Sequence, residues 1–360
     1  MSTTPSSSSA SGPLPERAVP SVQVIPLRFT GSGSEYFRIW IVNLCLSLLT
    51  LGIYSAWAKV RRMQYFYRHT AVAGSSFDYH GDPVAILKGR IIAVGMLALY
   101  TVAGQFSLAA GLGMFVLIMA VMPWLLVRSY RFRLHNTSYR GLRFSFRGKV
   151  EDGYVNFLLM PMLGYITLGL LLPLAHQQIR RYLHKNSLYG DERFDFHATA
   201  GAFYKPYLIA LGSLIAVVVV AVVLAVLMAR GAAPGNKDAA MLGVGVVLIA
   251  YLGALLLIGP YLAARLQNVI WNNTTLGNMG FESHLRARGM FGIMLSNFLL
   301  ILLTLGLYKP YADIRLARYR IDNMALLATD DLDEFVAGQQ ETASATGEEA
   351  VEMFDLDVAI

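Results

Sequence analysis

The sequence predicts an all-α polytopic membrane protein with about six or seven membrane segments, internal repeats and short surface β-strands. Three observations carry this. The chain is 55% hydrophobic and only 15% charged, against roughly 45–50% and about 25% in ordinary globular domains. Its charges are segregated: no Lys, Arg, Asp or Glu lies between Arg90 and Arg128, Asp152 and Arg180, Lys205 and Arg230, Asp238 and Arg265, or Arg288 and Lys309. A string beginning Thr-Leu-Gly occurs three times, and each copy turns from apolar to basic and aromatic.

Taken in order, residues 1–28 are Ser/Pro-rich, lack the apolar core of a signal peptide and read as a disordered tail. A repeated transmembrane domain follows over 29–335, in units of about 29–140, 144–280 and 281–328. A spanning helix needs about 20 apolar residues. The stretches 207–228 and 241–264 meet that outright, and 91–127 holds two short spans, 91–107 and 114–127, joined near Ala109–Gly113. Segments 36–57, 154–175 and 289–308 each run into a Thr-Leu-Gly string. Residues 336–360 read as an acidic disordered tail.

The repeat is specific at several positions. Thr50, Thr167 and Thr304 are each followed by Leu and Gly, by Ala at +8 (Ala58, Ala175, Ala312) and by Tyr at +15 (Tyr65, Tyr182, Tyr319). Pro173 and Pro310 stand at +6 in two copies, where Pro opens a new helix well. A second cassette places Phe eight residues after an Asn or His, with Gly between: His69–Gly74–Phe77, Asn136–Gly141–Phe144, Asn186–Gly190–Phe194 and Asn273–Gly277–Phe281. Asn323 opens a fifth without its Phe. Asn tolerates the left-handed conformation at a helix end and Gly permits a reversal. Alternation in "LRFSF" and "RFDF" predicts short strands, and "PLRFTGSG" near the N-terminus looks similar.

The stretch from "FTGSGSEYFRIW" through "TLGIYSAWAKVRRMQYFYRHTAVAGSSFDYHG" resembles the opening unit of the YjgN family of uncharacterised bacterial inner-membrane proteins. The resemblance covers about 28–335, and its TLGIY-x-x-W core is its specific part. The second copy departs from it, with "LLL" in place of "IYS" and no Trp. The resemblance implies a multi-pass protein of the bacterial inner membrane. It implies no activity and no catalytic residues.

Two topologies compete. If each Thr-Leu-Gly segment crosses, the chain has seven spans and its halves are inverted, as in many secondary transporters. If these segments dip in and return, four spans remain and only Arg230 and Lys237 lie on the far side, leaving 28 of the 30 basic residues together. The positive-inside bias favours the second arrangement, with every basic cassette on the cytoplasmic face.

Residues 1–320 hold 30 basic and 12 acidic side chains, and the last 40 hold eleven acids with no Lys or Arg. In a membrane protein such a basic excess points to the bilayer and its anionic lipids as partners and not to nucleic acid. The repeated exit points supply the candidate headgroup contacts: Arg61, Arg62 and Tyr65; Arg180, Arg181 and Tyr182; Arg315, Arg318 and Tyr319. Asn43, Asn156 and Asn297 are the candidate intramembrane polar contacts, though Asn in a span commonly ties helices together. "FDYH" and "FDFH" place Asp78 with His80 and Asp195 with His197, a metal or proton-relay candidate if the two pairs converge. The duller reading is repeated strand chemistry.

No HExxH, GxSxG, Walker A or CxxC string occurs, and the single cysteine, Cys45, supports neither a disulfide nor a thiolate site. No cofactor and no catalytic residue is expected. The leading expectation is a non-enzymatic envelope structural or interaction protein whose basic cytoplasmic surface faces lipid. The alternative is a transporter or channel for a small solute. Homo-oligomerisation is compatible with either.

Overall fold

The computed structural model describes residues 22–231, 237–329 and 332–346. The chain enters through β1 (Gln23–Pro26) and β2 (Arg28–Phe29), separated only by Leu27. A helical hairpin follows, α1 (Gly33–Leu49) with α2 (Ser55–Arg68), and then a β-hairpin, β3 (Thr70–Val72) with β4 (Ser75–Tyr79). This alternation continues with α3 (Pro83–Phe106), α4 (Leu108–His135), β5 (Thr137–Tyr139) and β6 (Leu142–Phe146). In the third round α5 (Val150–Tyr154), a π-helical turn (Val155–Leu159) and α6 (Met160–Ile166) make one limb. The other limb is α7 (Leu172–Lys185), leading to β7 (Ser187–Tyr189) and β8 (Glu192–Phe196). Then come α8 (Ala200–Gly231), α9 (Lys237–Trp271), β9 (Thr274–Leu276) and β10 (Met279–Ser283). The last round is α10 (Ala287–Leu303), α11 (Lys309–Asp322) and β11 (Met324–Ala328), followed by α12 (Leu332–Thr346).

The strands correct the expected all-α class. They are not short surface additions. All eleven join one antiparallel sheet, in the order β1-β11-β10-β9-β8-β7-β6-β5-β4-β3-β2. Its two edges, β1 and β2, are consecutive in the chain, so the sheet is a nearly closed barrel. The correction has a physical cause. Alternation within a few residues reveals a strand but not its partner, and many of these partners belong to different cassettes. Phe77 stands opposite Tyr139, Phe144 opposite Tyr189, and Phe194 opposite Leu276. Near-closure leaves little of the free edge that such strands would otherwise expose.

The cassette residues now have individual roles. Asn136, Asn186 and Asn323 cap their helices with φ between −87° and −104°, outside the left-handed region, and Asn273, just past the end of α9, is outside it too. Each side-chain amide donates to the carbonyl four residues back, at 2.7–2.8 Å. His69 places Nδ1 2.7 Å from the Tyr65 carbonyl in the same way. The reversal falls to glycine: Gly74, Gly141, Gly190 and Gly277 all have positive φ. Asn323 lacks a following Phe because its strand, β11, pairs with β10 and with β1 from the other end of the chain. Both β1 and α12 occupy parts of the stretches read as tails; residues 1–21 and 347–360 lie outside the described residues.

Among the described residues four helices are long and apolar enough to cross a membrane: α3, α4, α8 and α9. Segments 36–57, 154–175 and 289–308 instead belong to hairpins whose two limbs both attach to barrel strands, which reduces the expected six or seven segments to four spans and three returning hairpins. Thr-Leu-Gly is the tip of each. Thr50 Oγ1 donates to the Leu46 carbonyl and accepts from the Tyr54 amide, and Thr167 and Thr304 do the same in their own hairpins. Leu51, Leu168 and Leu305 take φ of 50–52°, and the next glycine takes 92–94°. Those leucines are 94–95% exposed, as apolar tips in lipid would be.

The helices pack chiefly on their neighbours in sequence, and α1 also packs on α11, so they too close a ring. The barrel stands on one end of that ring.

Candidate functional site

The five junctions between barrel and helices form a rim with one recurring bond. The residue after each second strand donates its amide to the next helix cap: Thr30 to His69, His80 to Asn136, Arg147 to Asn186, His197 to Asn273 and His284 to Asn323, at 2.8–3.0 Å. Cationic side chains crowd this rim, several over aromatic rings. Arg133 lies 4.5 Å from the Tyr130 centroid, and Arg128 and Arg265 cover Trp124 and Tyr261 at 5.6–5.9 Å; Arg61, midway along α2, reaches over Tyr54 beside the helical hairpin tip at 5.7 Å. Such pairs suit a membrane–water boundary.

The three tyrosines at +15 have their hydroxyls engaged. Tyr65 donates to the Ser32 carbonyl (3.0 Å), Tyr182 to that of Lys149 (2.7 Å) and Tyr319 to that of Arg286 (2.9 Å), so each ties the end of a returning hairpin to its start. Burial is the main force pushing the Tyr65 phenol up, and the Tyr182 phenol is pushed up to about 12. Of the neighbouring arginines, Arg62 pairs with Asp313 at 3.4 Å and Arg318 donates to the Gly31 carbonyl at 2.7 Å. Arg180 donates Nε to His176, whereas Arg181 is exposed.

Asn297 is buried, donates to the Ala312 carbonyl (3.2 Å) and accepts from Arg315 (2.9 Å), joining α10 to α11. Asn43 is equally buried, but its Oδ1 has no partner. Asn156 donates to the Asp152 carbonyl inside its own helix. The Asp/His pairs stay apart, on or beside β4 and β8. Four strand steps separate them, about 19 Å along the sheet. Asp78 pairs with Arg68 at 2.9 Å, His80 meets Ser138, and His197 meets Thr275. Among the described residues no three His, Cys, Asp or Glu side chains gather as a metal site.

Sequence reasoning missed the barrel lumen. The third residue after each cap points inward: Val72, Tyr139, Tyr189, Leu276 and Leu326. The eighth adds Phe77, Phe144, Phe194 and Phe281, and Leu27 completes that row. Together they surround a cavity of about 420 Å³. Three of its wall hydroxyls are engaged: Tyr139 donates to the Val72 carbonyl (2.9 Å), Tyr189 to that of Tyr139 (3.1 Å) and Thr70 to that of Phe66 (2.8 Å). Burial pushes both tyrosine phenols above their usual range. The end nearest the helices is lined by Phe66, Trp271 and Ile321, the far end by Leu332 and Phe335 of α12. The signal available in the sequence was the recurring Phe at cap +8; its inward direction required the closed sheet.

A family model described as "Bacterial protein of unknown function (DUF898)" matches residues 24–353. The inner membrane protein YjgN of Salmonella typhimurium is 24% identical over 346 residues, covering 82% of this chain and 87% of its own length. YjgN of Escherichia coli K12 is 29% identical over 143 residues, 39% of this chain and 36% of the relative. No solved structure matches.

Proposed function

The chain belongs to the DUF898 family and is a multi-pass bacterial inner-membrane protein, and from that premise we propose that it is a non-enzymatic envelope protein that gathers anionic lipid beneath its barrel. The observation that carries this is the single basic rim. Arg230 stands near the end of α8 and Lys237 opens α9, far from the barrel, while most of the other described Lys and Arg stand on strands or toward the barrel ends of the helices. A bilayer retains such an excess on its cytoplasmic side, where anionic headgroups contribute about 1 kcal/mol per nearby cation. Arg61 and Arg181 are the exposed cations best placed to make such contacts.

Retention of phosphatidylglycerol against phosphatidylethanolamine by the purified protein tests the proposal. The expected result is selective retention, weakened in Arg61→Gln/Arg181→Gln and by raised salt. Equal retention of the two lipids contradicts it. A small-solute pathway has less support, because Asn297 already holds Arg315. Solute uptake into vesicles, abolished by Asn43→Ala with Asn297→Ala, would reverse that ranking.

A further inference from the structure

The lumen is independent of the basic rim and calls for its own occupant. Protein interiors are close-packed and keep few voids larger than a water molecule. A cavity of about 420 Å³ has the size of a small-molecule site, roughly 300–1,000 Å³. Water fits it poorly, since a buried water needs two to four polar partners and the wall hydroxyls of Tyr139, Tyr189 and Thr70 already donate to wall carbonyls.

We infer that the lumen is a binding site for one hydrocarbon chain of a membrane lipid, entering between the helix ends and stopped at the far mouth by α12. The entrance is lined by Phe66, Trp271 and Ile321, at the ends of α2, α9 and α11. The α9 shaft is long and apolar enough to cross the bilayer, so a chain following it reaches the lumen without crossing water. Leaving lipid for the lumen changes hydration little, so close packing against stacked rings must hold the chain. The rings are there: Phe144 stacks on Phe194 at 6.4 Å between centroids and lies tilted against Tyr189 at 5.0 Å. The far mouth is shut. Leu332 and Val336 are buried, Phe335 stacks on Tyr189 at 6.5 Å, and α12 is fastened to the turns of the β5–β6 and β7–β8 hairpins. Asp333 pairs with Arg140, Gln340 donates to the Arg140 carbonyl (2.9 Å), and Gln339 accepts from the Asp191 amide (3.1 Å). The site therefore takes a slender apolar chain whose polar end stays at the rim.

The test uses the full-length protein in vesicles containing phosphatidylethanolamine with a diazirine at the end of one acyl chain. This probe carries no net charge, so its result does not depend on the anionic-lipid reading. Ultraviolet crosslinking is expected to place adducts on Phe144, Phe194 or Phe281, inside a barrel outside the bilayer, as well as on α3, α4, α8 and α9. Filling the lumen with Leu276→Trp should remove the barrel adducts and leave those on the spanning helices, which also reports that the variant is folded. If Leu276→Trp fails to insert, Phe335→Ala serves instead: deepening the cavity should move adducts toward Leu332. Adducts confined to the spanning helices in the unaltered protein, or barrel adducts unchanged by Leu276→Trp, would overturn the inference.

Discussion

Leu27 donates its backbone amide to the carbonyl of Met324 at 2.9 Å, and so fastens the chain between β1 and β2 to the start of β11. The two ends of the domain meet there. Leu27→Pro deletes the donor and leaves a barrel carbonyl unsatisfied, which costs about 1–3 kcal/mol. A fall of that size in detergent unfolding is expected, and unchanged stability would mean that the barrel does not need this closure.

Asn43 and Asn297 look equivalent in the sequence but differ in their partners. Asn297→Leu should cost about 1.5–3 kcal/mol, because Arg315 loses a charge-assisted bond. Asn43→Leu should be near neutral or stabilising, since its Oδ1 is buried without a partner. Thermal unfolding of the two variants side by side checks this; equal losses would contradict it.

The hairpin tips separate two residues that a propensity scale would rank the other way. Gly306 has φ of 94°, so Gly306→Ala should destabilise by more than about 1 kcal/mol. Leu305 sits at φ 50°, where a non-glycine residue carries about 1–2 kcal/mol of strain. Leu305→Gly should therefore leave stability unchanged or slightly raised. A large loss on Leu305→Gly would mean that the exposed leucine anchors the tip.

His184, at the barrel end of α7, packs on Phe196 and Trp271 at 5.2 and 5.8 Å and meets Thr274 Oγ1 at 3.2 Å. Burial, with a smaller contribution from Arg180, lowers its pKa to about 4. The unfolded chain, titrating near 6.5, binds the proton first, so stability is full above about pH 6.5 and falls as the pH drops toward 4. The loss is on the order of 3 kcal/mol at most. His184→Gln should flatten that slope, and an unaltered slope would assign it to other groups.

Much of the local structure was legible in the residues. Uncharged runs marked the apolar helices, Pro173 and Pro310 stand in the first turns of α7 and α11, and the Gly74-type reversals are where the spacing put them. The barrel was not legible, because pairs such as Phe77 with Tyr139 join cassettes whose separation carries no local signal. For the same reason the Phe at cap +8 was visible as a recurrence but not as a lumen wall. The tyrosines at +15 show a related gap: their spacing suits a headgroup belt and a hairpin tie equally, and only the bond from Tyr182 to Lys149 separates the two.

One barrel built from every cassette requires all the β-hairpins to lie on a single side of the membrane, and side-specific labelling measures that directly. Single cysteines at Ser76, Arg143 and Arg193, all exposed on barrel strands, and at Lys237, the first residue of α9 and far from the barrel, are placed in a Cys45→Ala background. A membrane-impermeant maleimide should reach the first three from the same face and Lys237→Cys from the opposite face. Labelling of Ser76→Cys and Arg193→Cys from opposite faces would contradict the barrel, the returning hairpins and the basic rim together.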